Sequence, residues 1–350
     1  VAEHGNSEQR QRVATTLSQS VQLSAERSAT LIEQPAAAPV NLKRHVYDAG
    51  RHQILPGKLV MSEERPGSSD VEAKEAFDGS GATYDFYAKV FLRHSIDDRG
   101  MRLDSTVHYG NRFDNGMWNG RQMVYGDGDG NLFNRFTKAL DVIGHELTHG
   151  VTQHTAALEY CGQPGALNEH ISDAFGIMVK QYRIGITALR SDWLIGAGLL
   201  GPSVRGVAVR SMKAPGTAYD DPVLGKDPQP SHMRHYVDGS DDNGGVHINS
   251  GIPNRAFYLS AIALRGYSWS VAGRIWYRVL TAKLSPQARF QDFANATVAA
   301  AGELYGIGGS VQITIADAWS AVGLHVPVSL TRRGGASGKT PRTAGSSANA

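Results

Sequence analysis

The chain has 350 residues, 41% of them hydrophobic and 19% charged, a composition that fills one or two compact cores and excludes a disordered polypeptide. Lys and Arg number 35 against 33 Asp and Glu, so the net charge of +2 argues against an overall nucleic-acid binder, and the single cysteine, Cys161, excludes an intramolecular disulfide framework. No run reaches the roughly 18–20 apolar residues that span a bilayer; the best one, 193–200, is broken by Gly196 and Gly198.

In chain order, residues 8–33 predict one amphipathic helix, with Val13, Leu17, Val21 and Leu31 or Ile32 at helical spacing. It ends at a Pro-Ala-Ala-Ala-Pro stretch, 35–39. Two readings stand open: a segment packed permanently on the domain, or a detachable one. The first thirty residues carry charges and no apolar run of the kind a secretory signal needs. From 44 to about 130 the texture is that of short strands, as at 44–47, 106–109 and 122–125, interrupted by a helical run over 72–92. Beyond Phe136 helices are predicted at 137–153, 166–184, 250–265, 268–281, 288–305 and 311–322. Residues 200–246, rich in Gly, Pro and Asp, read as extended loops, and 331–350 as a disordered tail. Strands first and helices second predict an α+β fold of two subdomains meeting near 130–155.

The chemistry concentrates in the helix-period run 141–153, which contains His145-Glu-Leu-Thr-His149. Spacing of i and i+4 puts both imidazoles on one helix face, where they can converge on a single ion. Glu146 flanks that face, the station of a base acting on a water at the metal. A catalytic zinc site wants a third protein ligand and an open position. The next helical run offers Glu169 and Asp173, again four apart and set among Ala166, Leu167, Ile171, Ala174 and Phe175. One of the two acids can bind the metal while the other holds a ligand histidine by its second ring nitrogen.

These motifs, with the Asn-Glu-x-x-Ser-Asp of 168–173, the Asp-Asn-Gly-Gly-Val-His-Ile-Asn-Ser-Gly of 242–251 and the Trp-Asn-Gly-Arg-Gln-Met-Val-Tyr-Gly-Asp-Gly-Asp-Gly of 118–130, resemble the thermolysin family of zinc endopeptidases. The likeness runs in consistent order over roughly 44–325, and the short N-terminal segment resembles the protealysin-type branch. It implies a two-subdomain zincin, a mostly β N-terminal subdomain and a helical C-terminal one with the active-site helix between them. The implied divisions are a pro-segment at 1–43, the β-rich part at 44–153, the helical part at 154–330 and the tail at 331–350. Position by position, His145, His149 and Glu169 match the zinc ligands and Glu146 the general base. Asp173 matches the carboxylate behind the first histidine, and Asn168 is placed with it as a supporting residue. Tyr160 and His247 match the oxyanion donors, Asp242 the acid that orients His247, and Arg210 the arginine that holds a substrate carbonyl. Asn115 matches the asparagine that binds substrate backbone; Gly116 beside it is assigned to the same edge, although Gly116-Met117 departs from the family's usual small-aromatic pair. Phe133, Phe136, Val142, Ile195 and Val209 would line the pocket for the residue after the scissile bond, which implies cleavage on the amino side of bulky apolar residues.

The likeness also implies a self-processing precursor, one zinc ion, protein or peptide substrates, a monomer, a proteinaceous inhibitor among its partners, and export. The N-terminal sequence leaves an intracellular life open. A metal-bound but silent protein and an exopeptidase are the competing readings. Near the zinc helix the pattern departs from the family. Asp141 is kept, but Lys180 stands where its carboxylate partner is expected, and Leu194, Ala197 and Val207 replace acids. Calcium needs six to eight oxygens, so the paired calcium site is expected to be lost, with Lys180 and Asp141 forming an ion pair instead.

Overall fold

A computed structural model describes residues 4–29, 41–282 and 284–328. The predicted tail at 331–350 and the end of the predicted first helix lie outside the described residues. The first helix, α1, spans Ser7–Ala29. The stripe it turns to the body is not the expected one: Leu17 and Val21 are 57% and 68% exposed, while Gln19 and Leu23 are buried. The surface beneath it combines an apolar patch, where Leu23 packs with Tyr109, Phe113 and Met117, with polar anchors. Arg12 reaches Asp114 and Asp129, Ser20 accepts from the amide of Asn115 at 3.0 Å, and Glu26 accepts from Asn119 at 3.1 Å.

A mixed five-stranded sheet follows, formed by β1 (Arg44–Asp48), β2 (Lys58–Ser62), β3 (Leu103–Val107), β4 (Gly116–Trp118) and β5 (Met123–Tyr125) in the spatial order β2-β1-β3-β5-β4. The inner pairs β1–β3 and β3–β5 are parallel, and the outer pairs are antiparallel. The helix α2 (Val71–Phe91) packs on the sheet and continues unbroken through Gly79 and Gly81. Those glycines are cut to fit: a side chain at 79 would strike Ile143, and one at 81 would strike the guanidinium of Arg44. Asp70 caps the start of α2 by accepting from the amide of Ala73 at 3.2 Å, and its second oxygen meets His108 Nε2 at 2.9 Å. His108 Nδ1 in turn meets Asp127 at 2.7 Å. The Asp127 hydrogen bond, opposed by burial and aided by Asp70, lifts the imidazole pKa to about 9.

Beyond a short 3-10 turn, Phe136–Lys138, come α3 (Leu140–Gln153) and α4 (Gly162–Ile184). The predicted start of α3 at 137 falls in that turn. The two helices cross at glycine. A Cβ on Gly176 would meet the carbonyl oxygen of Asp141 and sit 3.0 Å from the amide nitrogen of His145, and one on Gly144 would lie 3.2 Å from Cα of Gly176. Two-residue strands β6 (Leu194–Ile195) and β7 (Arg210–Ser211) pair antiparallel over the end of α4. The helices α5 (Asp241–Asn249), α6 (Gly251–Leu264), α7 (Ala272–Thr281), α8 (Phe290–Tyr305) and α9 (Ser310–Ser320) complete the C-terminal half. Where loop was predicted, over 200–246, the structure places β7 and the start of α5, whose first turn is irregular: residues 242–245 all have positive φ, from 52° to 84°. One apolar core runs from Val46 on the sheet through Ile143 and Phe175 to Phe257, Trp276, Phe293 and Trp319. The α+β expectation is met, with a sheet-bearing N-terminal part and a helical C-terminal part. No described helix is long and apolar enough to cross a membrane.

Two outcomes are expected. Gly176→Ala forces α3 and α4 apart and lowers unfolding stability by about 1–3 kcal/mol, as overpacked sites do, read by chemical denaturation; an unchanged midpoint would refute the tight crossing. Because the folded pKa of His108 lies above its ordinary value of about 6.5, its contribution is complete below about pH 6.5 and is lost as pH rises through about 9. The melting temperature of the wild type should therefore fall more between about pH 6 and about pH 10 than that of His108→Gln.

Candidate metal centre

His145 and His149 project from the middle of α3 and are buried, 4% and 2% exposed. Their Nε2 atoms lie 3.1 Å apart, and each is 3.3 Å from an oxygen of Glu169 on α4. Within this trio one atom from each residue lies within 4.8 Å of the others. The opposite ring nitrogens are already engaged. Nδ1 of His145 meets Asp173 at 2.8 Å, and Nδ1 of His149 meets Asn168 Oδ1 at 2.8 Å and Ser172 Oγ at 3.0 Å. That division of labour turns both Nε2 lone pairs toward Glu169. Oε2 of Glu169 is buried without a hydrogen-bond partner among the described residues. Two imidazoles and a carboxylate with an oxygen to spare are the donor set of a catalytic zinc site, so these residues fit that ion. Between the two acids left open by the sequence, geometry puts Glu169 at the metal position and Asp173 behind His145.

Asp173 is the anchor of the centre. Arg210, from β7, grips it through Nε at 2.8 Å and Nη2 at 2.6 Å, and Asn254 on α6 donates to it at 2.8 Å. Burial pushes the Asp173 carboxyl upward, yet Arg210 and His145 outweigh it and hold the group well below the usual carboxylate range. The line of donors continues into the core. Trp276 Nε1 donates to His170 Nε2 at 2.8 Å, and His170 Nδ1 lies 2.8 Å from Asn254 Oδ1. Burial lowers the His170 pKa to about 4, so this ring is neutral, and its one proton must sit on Nδ1 because Nε2 accepts. Sequence reasoning missed His170, Asn254 and Trp276; a lone core histidine carries no signal of its partners.

Glu146 stands beside the trio with Oε1 3.7 Å from His145 Nε2, while the amide of Trp118 on β4 donates to its Oε2 at 3.0 Å. Across the cleft the Tyr160 hydroxyl donates to Oε1 of Glu169 and lies 3.2 Å from His247 Nε2. Burial, with Glu169 adding, raises the tyrosine pKa well above its ordinary value, so the hydroxyl keeps its proton. The irregular first turn of α5 folds Asp242 back onto His247. Its Oδ1 sits 2.5 Å from Nδ1, and Oδ2 accepts from the His247 amide at 2.7 Å. Nδ1 therefore donates to Asp242, and against burial Glu169 and Asp242 raise the ring's pKa, which favours the imidazolium whose Nε2–H faces the cleft.

Asn115 and Gly116 border a cavity of about 510 Å³ with these groups. Phe133 and Val209 line a neighbouring cavity of about 400 Å³, while Phe136, Val142 and Ile195 belong to the buried core around it. Helix α1 lies over the cleft: Arg27 places Nη2 3.1 Å from His149 Nδ1 and its guanidinium 5.0 Å from the centre of the Tyr160 ring. The expected ion pair of Lys180 with Asp141 is present at 3.2 Å. The Lys180 ammonium also lies 3.1 Å from Asp192 and donates to the carbonyl of Leu194 at 3.1 Å.

Two family models match the chain, one described as the thermolysin metallopeptidase catalytic domain over residues 13–153 and one as the thermolysin metallopeptidase alpha-helical domain over 156–324. Similar curated proteins include an extracellular metalloprotease of Pectobacterium carotovorum subsp. carotovorum, 55% identical over 81% of this chain and 81% of its own length. Another is the protease PrtS of Photorhabdus sp. (strain Az29), 50% identical over 81% of this chain and 77% of its own. Among solved structures, the precursor of protealysin, a metalloproteinase from Serratia proteamaculans, superposes with a TM-score of 0.83 at 48% identity, over 92% of this chain and 95% of that one.

Proposed function

The chain belongs to the thermolysin family of metallopeptidases, and on that premise we propose that it cleaves internal peptide bonds on the amino side of bulky apolar residues, with His145, His149 and Glu169 holding one zinc ion. The observation that carries this reading is the convergence of both Nε2 atoms and the Glu169 carboxylate beside Glu146. A zinc ion held by these three residues would supply a water acidified to a pKa of about 7 and would polarise the scissile carbonyl. Because Trp118 holds one oxygen of Glu146, the other accepts the proton of the attacking water and later delivers it to the leaving amine nitrogen. Tyr160 and His247 donate to the carbonyl oxygen as it gains negative charge, a role in which each donor is worth roughly 10²–10³ in rate. Asp242 accepts the Nδ1 proton of His247 and favours the imidazolium, whose Nε2–H is the donor. Arg210, fixed by Asp173, is assigned to a substrate carbonyl, and Asn115 with Gly116 to the substrate backbone. Phe133, Phe136, Val142, Ile195 and Val209 are assigned to the apolar pocket.

The N-terminal 43 residues are a pro-segment that the enzyme removes from itself. The seating of α1 across the cleft and the likeness to a solved precursor support this reading. Export is supported by the relative named extracellular. The paired calcium site is lost, because the Lys180 ammonium takes up the oxygens of Asp141, Asp192 and Leu194 with a single charge.

Glu146→Gln should keep stoichiometric zinc, lose about 10²–10⁴ or more in turnover of end-blocked peptides, and remain full length when purified. Cleavage at the parent rate would remove Glu146 as the base. His145→Ala should lose the metal, read by metal analysis. In Lys180→Met the buried Asp141 is left unpaired, and stability falls by about 2–3 kcal/mol, below the roughly 3–5 of fully buried pairs because Lys180 is partly exposed. Calcium should leave the wild-type melting temperature unchanged; a rise of several degrees on adding calcium would restore the missing site.

A further inference from the structure

Arg12 of α1 stands on two carboxylates that take no part in the chemistry above. Its Nη2 lies 2.5 Å from Asp129 Oδ2 and its Nε 3.2 Å from Asp114 Oδ2, and the two acid side chains are only 2% and 6% exposed. Asp129 is aimed by the loop that carries it. Its Oδ1 accepts from the amides of Asn131, Leu132 and Phe133 at 3.0, 2.7 and 2.9 Å, which leaves Oδ2 for the guanidinium. Oδ1 of Asp114 is buried without a hydrogen-bond partner among the described residues. Burial first, and then the neighbouring Asp129, lift the Asp114 carboxyl to about 6 even with Arg12 present. Two buried acids this close are tolerable only with a cation between them.

Asp114 lines the cavity of about 400 Å³, with Asp129 joined to it through Arg12; the other walls from the body of the protein are Leu132, Phe133, Leu200, Val209, Tyr219 and Leu224, and the cover is Val13, Thr16 and Leu17 of α1. Apolar walls with a carboxylate among them suit a side chain with a long methylene stem and a charged tip. Phe133 and Val209 are also walls of the pocket assigned to the residue after the scissile bond, so the acids lie on the leaving-group side of the cleft. When α1 departs it removes both the cover and the cation.

We propose that in the processed enzyme Asp114 and Asp129 form a subsite for an arginine or lysine side chain of the substrate, two or three residues past the scissile bond, in the place that Arg12 holds in the precursor. The proposal rests on the endopeptidase reading and adds a basic preference to it. Asp114 is the specificity-determining residue, because it lines the cavity and its Oδ1 is buried without a hydrogen-bond partner among the described residues.

The test uses the processed enzyme and end-blocked, internally quenched peptides with Leu after the scissile bond and Arg, Lys, Gln or Glu at the second or the third position beyond that bond. At one of these positions kcat/KM for Arg and Lys should exceed that for Gln by about tenfold or more, with Glu lowest. In Asp114→Asn the Arg-to-Gln ratio should fall to within about twofold. The ratio is taken within one enzyme preparation, so a misfolded fraction cancels. No Arg-over-Gln preference in the wild type, or an undiminished one in Asp114→Asn, overturns the subsite. Cleavage of the Gln peptide before Leu by the wild type leaves the endopeptidase reading standing in either event, and its absence is the failure of that reading instead.

Discussion

The geometry of the centre depends on how closely two helices approach. Gly144 and Gly176 let α3 and α4 meet backbone to backbone, and that distance sets where Glu169 and Asp173 stand relative to His145. Metal ligands on separate helices are only as well placed as the helices themselves. A methyl group at the crossing would move a carboxylate that must lie within bonding reach of an ion.

Around that crossing the buried acids Asp173 and Asp141 are each paired with something fixed. Asp173 is met by a ligand histidine, an arginine and an asparagine, and the asparagine is itself aligned through His170 by Trp276. Each donor in this line has one partner, so each ring and amide has one orientation. Rigidity is thereby passed from the aromatic core of the helical half to a metal ligand without a charge having to move. Asp141 is handled differently, by the lysine that stands in for a cation.

What the sequence made legible was local. Four-residue spacing exposed His145 with His149 and Glu169 with Asp173, whereas the bond of Asp141 to Lys180 was expected only because the chain departs from the family it resembles. The remaining roles came from likeness to a family, not from periodicity. Long-range partners were invisible: Arg12 finds acids a hundred residues away, and His170 finds Asn254 across a helix boundary. The first turn of α5 was hidden for another reason. Residues 242–245, Asp-Asn-Gly-Gly, read as a turn, and only in the fold does their run of positive φ bring Asp242 back against His247. The face of α1 was misread because helical pattern reports which residues are apolar, and this helix is seated by Leu23 together with Arg12, Ser20 and Glu26.

That α1 occupies the cleft as a helix has a consequence for its own survival. A protease of this kind must hold its victim stretched out, with amides and carbonyls free to bond with the walls of the groove. In α1 those groups are spent on one another, one turn to the next, so the segment can fill the entrance without offering a bond to be cut. The plug and the prey are told apart by backbone shape, and the enzyme becomes able to feed only when the coil that guards it has let go.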